Sequence, residues 1–349
     1  MLHNKTLKAL AAACFFSSFA MASAASAADK LEINVVAKGF QHQFWKAVEQ
    51  GTMQAAEEFN VEVDFQGPDS ESNIAQQVEY FNAAVARQPA AICLAALDTN
   101  ALLDSIQAAK DANIPIIGFD SGVPNAPEGA IKATASTNNL AAGEFAAVNL
   151  NKIIKDQLAK ATPEKPVRIG VVSQESNSQS IVARTKGFVE KMTEILGKDK
   201  VSIEGHESLA KVVKNVPYII EVGIPAEVKD VDAAAVASAI LEKTDLIAIY
   251  GSNEFATNAI ITANEGLDRL GVGKVVGIGF DAGTKVLDAM TAGILAGAVT
   301  QNPVQIGYQA VKLAVDAVKG NPVQDVDTGA LWYNKDNMDS PEIAPCLYR

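Results

Sequence analysis

Short apolar runs of strand character alternate along this chain with stretches of helical spacing, and no other feature limits its fold as strongly. The runs Ile33–Ala37, Val61–Phe65, Ala91–Leu97, Pro115–Asp120 and Ile131–Ser136 are mostly separated by stretches such as Phe44–Phe59, Asn73–Ala86 and Ala101–Ala112. A helical crossover of that length joins neighbouring parallel strands, so the series predicts a doubly wound α/β sheet. A second series follows, with strands at Val167–Ser173, Tyr218–Val222, Leu246–Tyr250, Val275–Asp281 and Ala296–Thr300. Its helices are expected at Ser180–Leu196, Asp232–Lys243, Glu254–Leu270 and Gly283–Ala292, with a last one at Pro303–Val318. Two series imply two similar doubly wound lobes with parallel sheets, their strand carboxyl ends facing a shared cleft.

The lobes join at Ala135–Asn138, where a helix over Asn139–Leu158 begins with Asn138 or Asn139 as its cap. The junction has no Gly/Ser-rich tract, so short segments connect the lobes and act as a hinge. The expected division is residues 28–136 plus 302–330 for one lobe and 137–301 plus 331–349 for the other. The charged, weakly periodic stretch Gly197–Lys214 reads as an added surface helix or loop.

Ahead of the first strand, Lys5 and Lys8 precede an apolar run over Ala9–Phe19 and a small-residue end at Ala25-Ser26-Ala27. That order predicts a secretory signal peptide over residues 1–27, because the apolar core is too short to span a bilayer. Cys14 follows Leu10-Ala11-Ala12-Ala13, with the leucine one place early for a lipid-attachment sequence. The whole chain carries 41 acids against 29 bases, and loss of Lys5 and Lys8 makes the remainder more negative still. Such a surface repels phosphate backbones and anionic membranes, which argues against a nucleic-acid partner. Cys93 sits in an apolar run and Cys346 near the end, with no disulfide framework and no metal-ligand spacing, so no metal or cofactor is expected.

The residues just past the strand ends carry the chemistry. Phe40-Gln41-His42-Gln43-Phe44-Trp45 follows the first strand, and its rings offer an apolar face to one side of a sugar while neighbouring polar groups reach hydroxyls. Phe119-Asp120-Ser121 and Phe280-Asp281-Ala282 end two strands in the same way, one per lobe. An acid there accepts hydroxyl hydrogen bonds at the cleft mouth, or else caps the next turn. Arg184 lies on a helix between the core-facing Val182 and Phe188, where its fork suits adjacent hydroxyls.

With these motifs in this order, the chain resembles the periplasmic solute-binding proteins of the ribose and galactose type. These feed ABC importers and share their fold with lactose-repressor effector domains. The resemblance spans nearly the whole chain after the leader and implies a type I periplasmic binding protein architecture with the ligand cleft between lobes. It places the aromatic pair on Phe44 and Trp45, with His42 before them, and the ligand-contacting acid of the first lobe on Asp120. On the second lobe it places ligand contacts on Arg184, Asn253, Glu254, Asp281 and Gln301. Ser121 stands where the family often has Arg, and Glu254 where it has Asp. The second-lobe segment Gly223–Val228 lacks the usual ring, so the stack is either one-sided or completed by an aliphatic residue such as Ile224 or Val228.

The resemblance implies a binding protein, not an enzyme, that closes on a small polyhydroxylated solute and delivers it to a membrane ABC permease, with a chemoreceptor as a further partner. Two other readings stay open: an enzyme on the same scaffold, and a binding protein for a non-sugar signalling molecule read by a receptor. Against the enzyme stands the absence of a G-x-S-x-G elbow and of a phosphate-cradling G-x-x-x-x-G-K-[ST] loop. Exported protein should be cut near Ala27; an intact mass matching a start at Met1, or a lipid on Cys14, would overturn the leader assignment.

Overall fold

The computed structural model describes residues 30–40 and 42–349; the leader over 1–27, with Cys14, lies outside the described residues. The first series forms β1 (Glu32–Val36), α1 (Gln43–Phe59), β2 (Glu62–Gln66), α2 (Ile74–Arg87), β3 (Ala91–Leu94), α3 (Leu103–Asp111), β4 (Ile116–Phe119) and β5 (Ile131–Ser136). The second forms α4 (Asn139–Leu158), β6 (Val167–Val172), α5 (Gln179–Leu196), β7 (Val201–Glu204), β8 (Tyr218–Gly223), α6 (Asp230–Leu241), β9 (Leu246–Gly251), α7 (Glu254–Leu267), β10 (Val276–Phe280), α8 (Thr284–Thr291) and β11 (Leu295–Thr300). The chain ends with α9 (Pro303–Val318), β12 (Val326–Asp327) and β13 (Leu331–Tyr333).

The strands sort into two sheets, in the orders β12-β5-β4-β3-β1-β2 and β13-β11-β10-β9-β6-β8-β7. All pairs are parallel except β11 with β13. In the first sheet alternate residues face opposite cores: Ile33, Val35, Ala91 and Cys93 point to one, and Val36, Ile92 and Leu94 to the other. That two-residue period, apolar on both faces, is what a parallel sheet covered by helices requires. The strand order reverses between β1 and β3 in one sheet and between β6 and β9 in the other, and the crevice outside the carboxyl ends opens at such points.

Four helices begin on the same device. The side chains of Asn73, Asn138, Asn253 and Asn302 accept from the backbone N–H three residues on, and so cap α2, α4, α7 and α9. Pro303 adds the preset φ of a first helical position. Glycines let helix pairs touch backbone to backbone. A Cβ on Gly143 of α4 would collide with the Arg184 carbonyl of α5, and one on Gly187 with the Leu140 carbonyl. Gly51 and Gly307 do the same for α1 and α9.

The expected surface segment over 197–214 contains the edge strand β7, paired in parallel register with β8 from Val201↔Tyr218 to Glu204↔Glu221. Charges at Lys198, Asp199 and Lys200 hide a three-residue buried stretch, Val201, Ser202 and Ile203, with Ser202 polar between two apolar residues. Cys93 and Cys346 are both buried and unbridged. Among the described residues no helix is long and apolar enough to cross a membrane. Gly187→Ala should push α4 and α5 apart and cost about 1–3 kcal/mol by overpacking, read as a lower urea midpoint with unchanged slope.

Candidate functional site

The strand ends of the two sheets meet around one small cavity. Its walls come from Lys38, His42, Phe44, Trp45, Glu71 and Asp120 on one side and Ser180, Ile181, Arg184, Asn253, Glu254, Asp281 and Gln301 on the other. All nine residues singled out from the sequence are in this wall. The space they enclose measures about 30 Å³, room for one or two waters.

Asp120 and Asp281 follow β4 and β10 in the same unusual backbone state, with φ of 53° and 68°. Asp tolerates this left-handed region better than most side chains, and the turn aims each carboxylate across the strand end into the cavity. Their surroundings then differ. Asp281 accepts from Gln301 Nε2 at 2.7 Å and from the Glu254 backbone N–H at 3.1 Å. The side chain of Asp120, only 4 % exposed, makes no hydrogen bond among the described residues. Burial pushes its carboxyl up to about 6 despite the positive charges of Lys38 and Arg184.

Arg184 is 2 % exposed. Its Nε and Nη2 donate to Asn139 Oδ1 at 3.2 and 2.7 Å, and its Nη1 donates to the Ser252 carbonyl at 2.9 Å. Nη1 lies 3.6 Å from Asp281, and the guanidinium carbon sits 3.7 Å over the Phe280 ring. The fork that the sequence reading offers to a ligand is therefore largely spent inside its own lobe. Asn253 is similarly engaged, capping α7 through Oδ1 and donating to Gln174 Oε1 at 2.6 Å.

Trp45 packs edge-on to Phe44, with ring centroids 5.0 Å apart, and donates its indole N–H to Glu71 at 2.7 Å. Glu71 also accepts from Gln174 at 2.9 Å and lies 3.5 Å from Lys38. Burial opposes its charge, but Lys38, His42 and the two hydrogen bonds outweigh burial and lower it to about 2. Ile224 and Val228 do not line the cavity; they pack into the second-lobe cores, and the aliphatic wall residue is Ile181. An aliphatic side chain there must come from the start of α5, because the segment after β8 turns into its own lobe.

Lys38, Glu71, Ser180 and Ile181 escaped the sequence reading. Lys38 was within reach, since it follows the buried run Val35-Val36-Ala37 as Asp120 follows β4. Glu71 lies in the loop before α2, away from any strand end, and no local signal marks it.

Several hydrogen bonds cross between the lobes at the cavity. Phe44 N–H donates to Glu254 Oε2 at 3.3 Å, Lys38 Nζ to Ser178 Oγ at 3.3 Å, and Gln174 to Glu71 as above. Further out, Ser180 N–H donates to Ser121 Oγ at 3.3 Å and Thr284 N–H to Gln43 Oε1 at 2.7 Å. Behind the cavity the connecting segments are tied together: Thr137 Oγ1 donates to the Gly329 carbonyl at 3.1 Å and Thr328 N–H to the Ser136 carbonyl at 3.0 Å.

Two facing doubly wound sheets, with a polar cavity between their carboxyl edges and paired crossing segments behind it, are the architecture of a two-lobed binding protein. Residues 33–322 match the family model described as periplasmic binding protein domain, and the chain belongs to that family. The D-allose-binding periplasmic protein of Escherichia coli (strain K12) is 25 % identical over 301 residues, covering 85 % of this chain and 87 % of its own. A solved structure from Brachyspira murdochii, described as an ABC transporter, LacI family transcriptional regulator, is 36 % identical. It covers 92 % of this chain and 99 % of its own with a TM-score of 0.77. An ABC transporter solute-binding protein from Agrobacterium vitis with bound D-fucose is 27 % identical, covering 91 % of this chain and all of its own, with a TM-score of 0.78.

Glu254 is pushed up from 4.5 to about 8, first by burial and then by the negative charge of Asp281. A carboxyl raised in this way contributes stability to the folded protein fully below about pH 4.5, and that contribution is lost as pH rises through about 8. Glu254→Gln should therefore be more stable than the parent by about 1–3 kcal/mol at pH 9, with the gap closing below pH 4.5, since relaxation around the charge relieves part of its cost. Thermal unfolding of both proteins across that range checks the sign.

Proposed function

We propose that this protein is an extracytoplasmic binding protein that captures a small polyhydroxylated solute, a monosaccharide or close derivative, and hands it unchanged to the membrane permease of an ABC importer. The reading rests above all on one observation: polar side chains of both lobes converge on a single cavity whose remaining hydrogen-bonding capacity is mostly acceptor. Asp120 has both carboxylate oxygens to offer, and Gln301 Oε1 is buried without a partner. Hydroxyl groups supply the matching donors, and the Phe44–Trp45 pair supplies an apolar wall for a ring face. The sugars named with the Escherichia coli and Agrobacterium relatives, D-allose and D-fucose, are of this chemical class.

A cavity of about 30 Å³ is smaller than any sugar, so capture requires the lobes to part and close again on the solute. The hinge is the tied pair of segments at Thr137 and Thr328–Gly329, with the crossing at Gln301–Asn302 beside them. Lobes comprising 28–136 plus 302–330 and 137–301 plus 331–349 would turn about it. On opening, the cross-lobe hydrogen bonds at Phe44, Lys38 and Gln174 break, and the solute's hydroxyls take their place. A ligand touching both lobes makes its full set of contacts only when the cleft is shut, and this couples binding to closure.

A thermal-shift screen of the mature chain against monosaccharides and polyols identifies the solute class, since a ligand of the native state raises apparent stability. Absence of any shift across the panel would refute the proposal. With a hit in hand, Asp120→Ala should weaken binding about ten- to a hundredfold, the loss of a charged hydrogen-bond acceptor. Because the Asp120 side chain makes no hydrogen bond, the free variant's unfolding temperature should fall only slightly, by the roughly 1 kcal/mol that Ala costs at a φ of 53°. Arg184→Ala should lower that temperature much further, as it strips Asn139, Ser252 and Asp281 of their shared donor.

A further inference from the structure

We propose that the solute carries an amino group, as in an amino sugar or amino polyol, and that Glu254 holds its ammonium. The inference rests on the sugar-type reading above and narrows it.

Four carboxylates line the cavity, Glu71, Asp120, Glu254 and Asp281, against two fixed cations, Lys38 and Arg184. Lys38 lies 3.5 Å from Glu71 and Arg184 lies 3.6 Å from Asp281, so each cation already has a carboxylate. Lys38 and Arg184 also act on Asp120 from farther away. Among the described residues no ion pair reaches Glu254, and the charges that act on it most strongly, Asp281 and Glu71, are both negative. The backbone N–H groups of Gln43 and Phe44 favour its charge without balancing it. His42 offers no counter-charge to it, because His42 Nε2 faces Glu71 at 3.8 Å.

A buried carboxylate in that position is costly unless a cation meets it. Burial accordingly drives Glu254 toward its neutral form, and a neutral sugar leaves it there. An ammonium reverses the balance: it supplies the missing positive charge and three donors in a cavity short of both. An independent observation points to a donor-rich ligand. Gln301 lines this cavity, and its Oε1, on a residue 3 % exposed, is buried with no hydrogen-bond partner. On its outer side Glu254 borders a groove of about 760 Å³ whose other charged groups are Glu265, Asp288 and Lys285. Lys285 is bound to Glu265 at 3.3 Å, which leaves the approach to Glu254 without a free cation to repel an ammonium.

The test is calorimetry on the full mature chain at pH 7. The ligands are neutral aldohexoses and their amino-deoxy counterparts, with the nitrogen placed at each ring position in turn. At least one amino sugar should bind about ten- to a hundredfold more tightly than its hydroxyl parent, the worth of a charged hydrogen bond. Glu254→Gln should bring that ratio to within about twofold of unity, whereas Glu254→Asp, which keeps the charge, should retain a preference for the amine. Neutral sugars binding as well as every amino counterpart would overturn the inference and leave the sugar-binding function standing. Binding of neither class would overturn both. A preference that survives Glu254→Gln would mean that another group holds the nitrogen, and would also refute the assignment.

Discussion

A guanidinium withdrawn almost completely from water organises the second half of this protein. Arg184 carries a charge that is costly to bury, and the structure meets that cost from four directions: Asn139 at the start of α4, the Ser252 carbonyl past β9, Asp281 past β10 and the face of Phe280. The partners sit at the ends of three elements, so satisfying one side chain on α5 fixes the relative positions of α4, α5, β9 and β10. Gly143 and Gly187 make this possible by letting α4 and α5 approach at backbone distance. Asp281 in turn receives Gln301 and the first N–H of α7, while its carbonyl accepts from the buried Tyr333 hydroxyl at 2.7 Å. The second-lobe wall of the cavity is thus rigid before any solute arrives.

The first-lobe wall is held differently. Glu71 gathers Lys38, the Trp45 indole and, from across the cleft, Gln174. Two of those partners belong to its own lobe and one to the other, so closure completes a hydrogen-bond set that exists in part already. A charge stabilised from both sides favours this arrangement, and a carboxyl stripped of water by burial and set beside the negative Asp281, as Glu254 is, opposes it.

Much of the fold was legible because parallel sheets leave a strong mark. Strands buried on both faces read as continuous apolar runs, and the helices between them keep a spacing of three to four. The edge strand β7 failed that test for a physical reason: with only four residues at the rim of the sheet and charges on both flanks, it has too little buried surface to print a pattern. The strand ends were legible for a similar reason. A buried strand must stop where the chain turns polar, so Asp120 and Asp281 stand out against the apolar runs before them, whereas Asn253, Glu254 and Gln301 were reached through the family resemblance.

The sequence by itself determined the doubly wound class and the two series of elements, and its resemblance to a known family completed a set of nine side chains that line one cavity. The class and the series follow from local periodicity and from where hydrophobic runs end, and both are written in order along the chain. Tertiary structure alone decided how those side chains divide their hydrogen bonds. It spent Arg184 and Asn253 on the scaffold, brought Glu71 and Lys38 in as an unforeseen pair, put Ile181 where Ile224 or Val228 was one expectation, and left Asp120, Glu254 and Gln301 Oε1 with capacity to spare. The reason is that a polar group's partner is set by distance in space, and residues 210 positions apart, such as Phe44 and Glu254, become neighbours only once both sheets have formed and met.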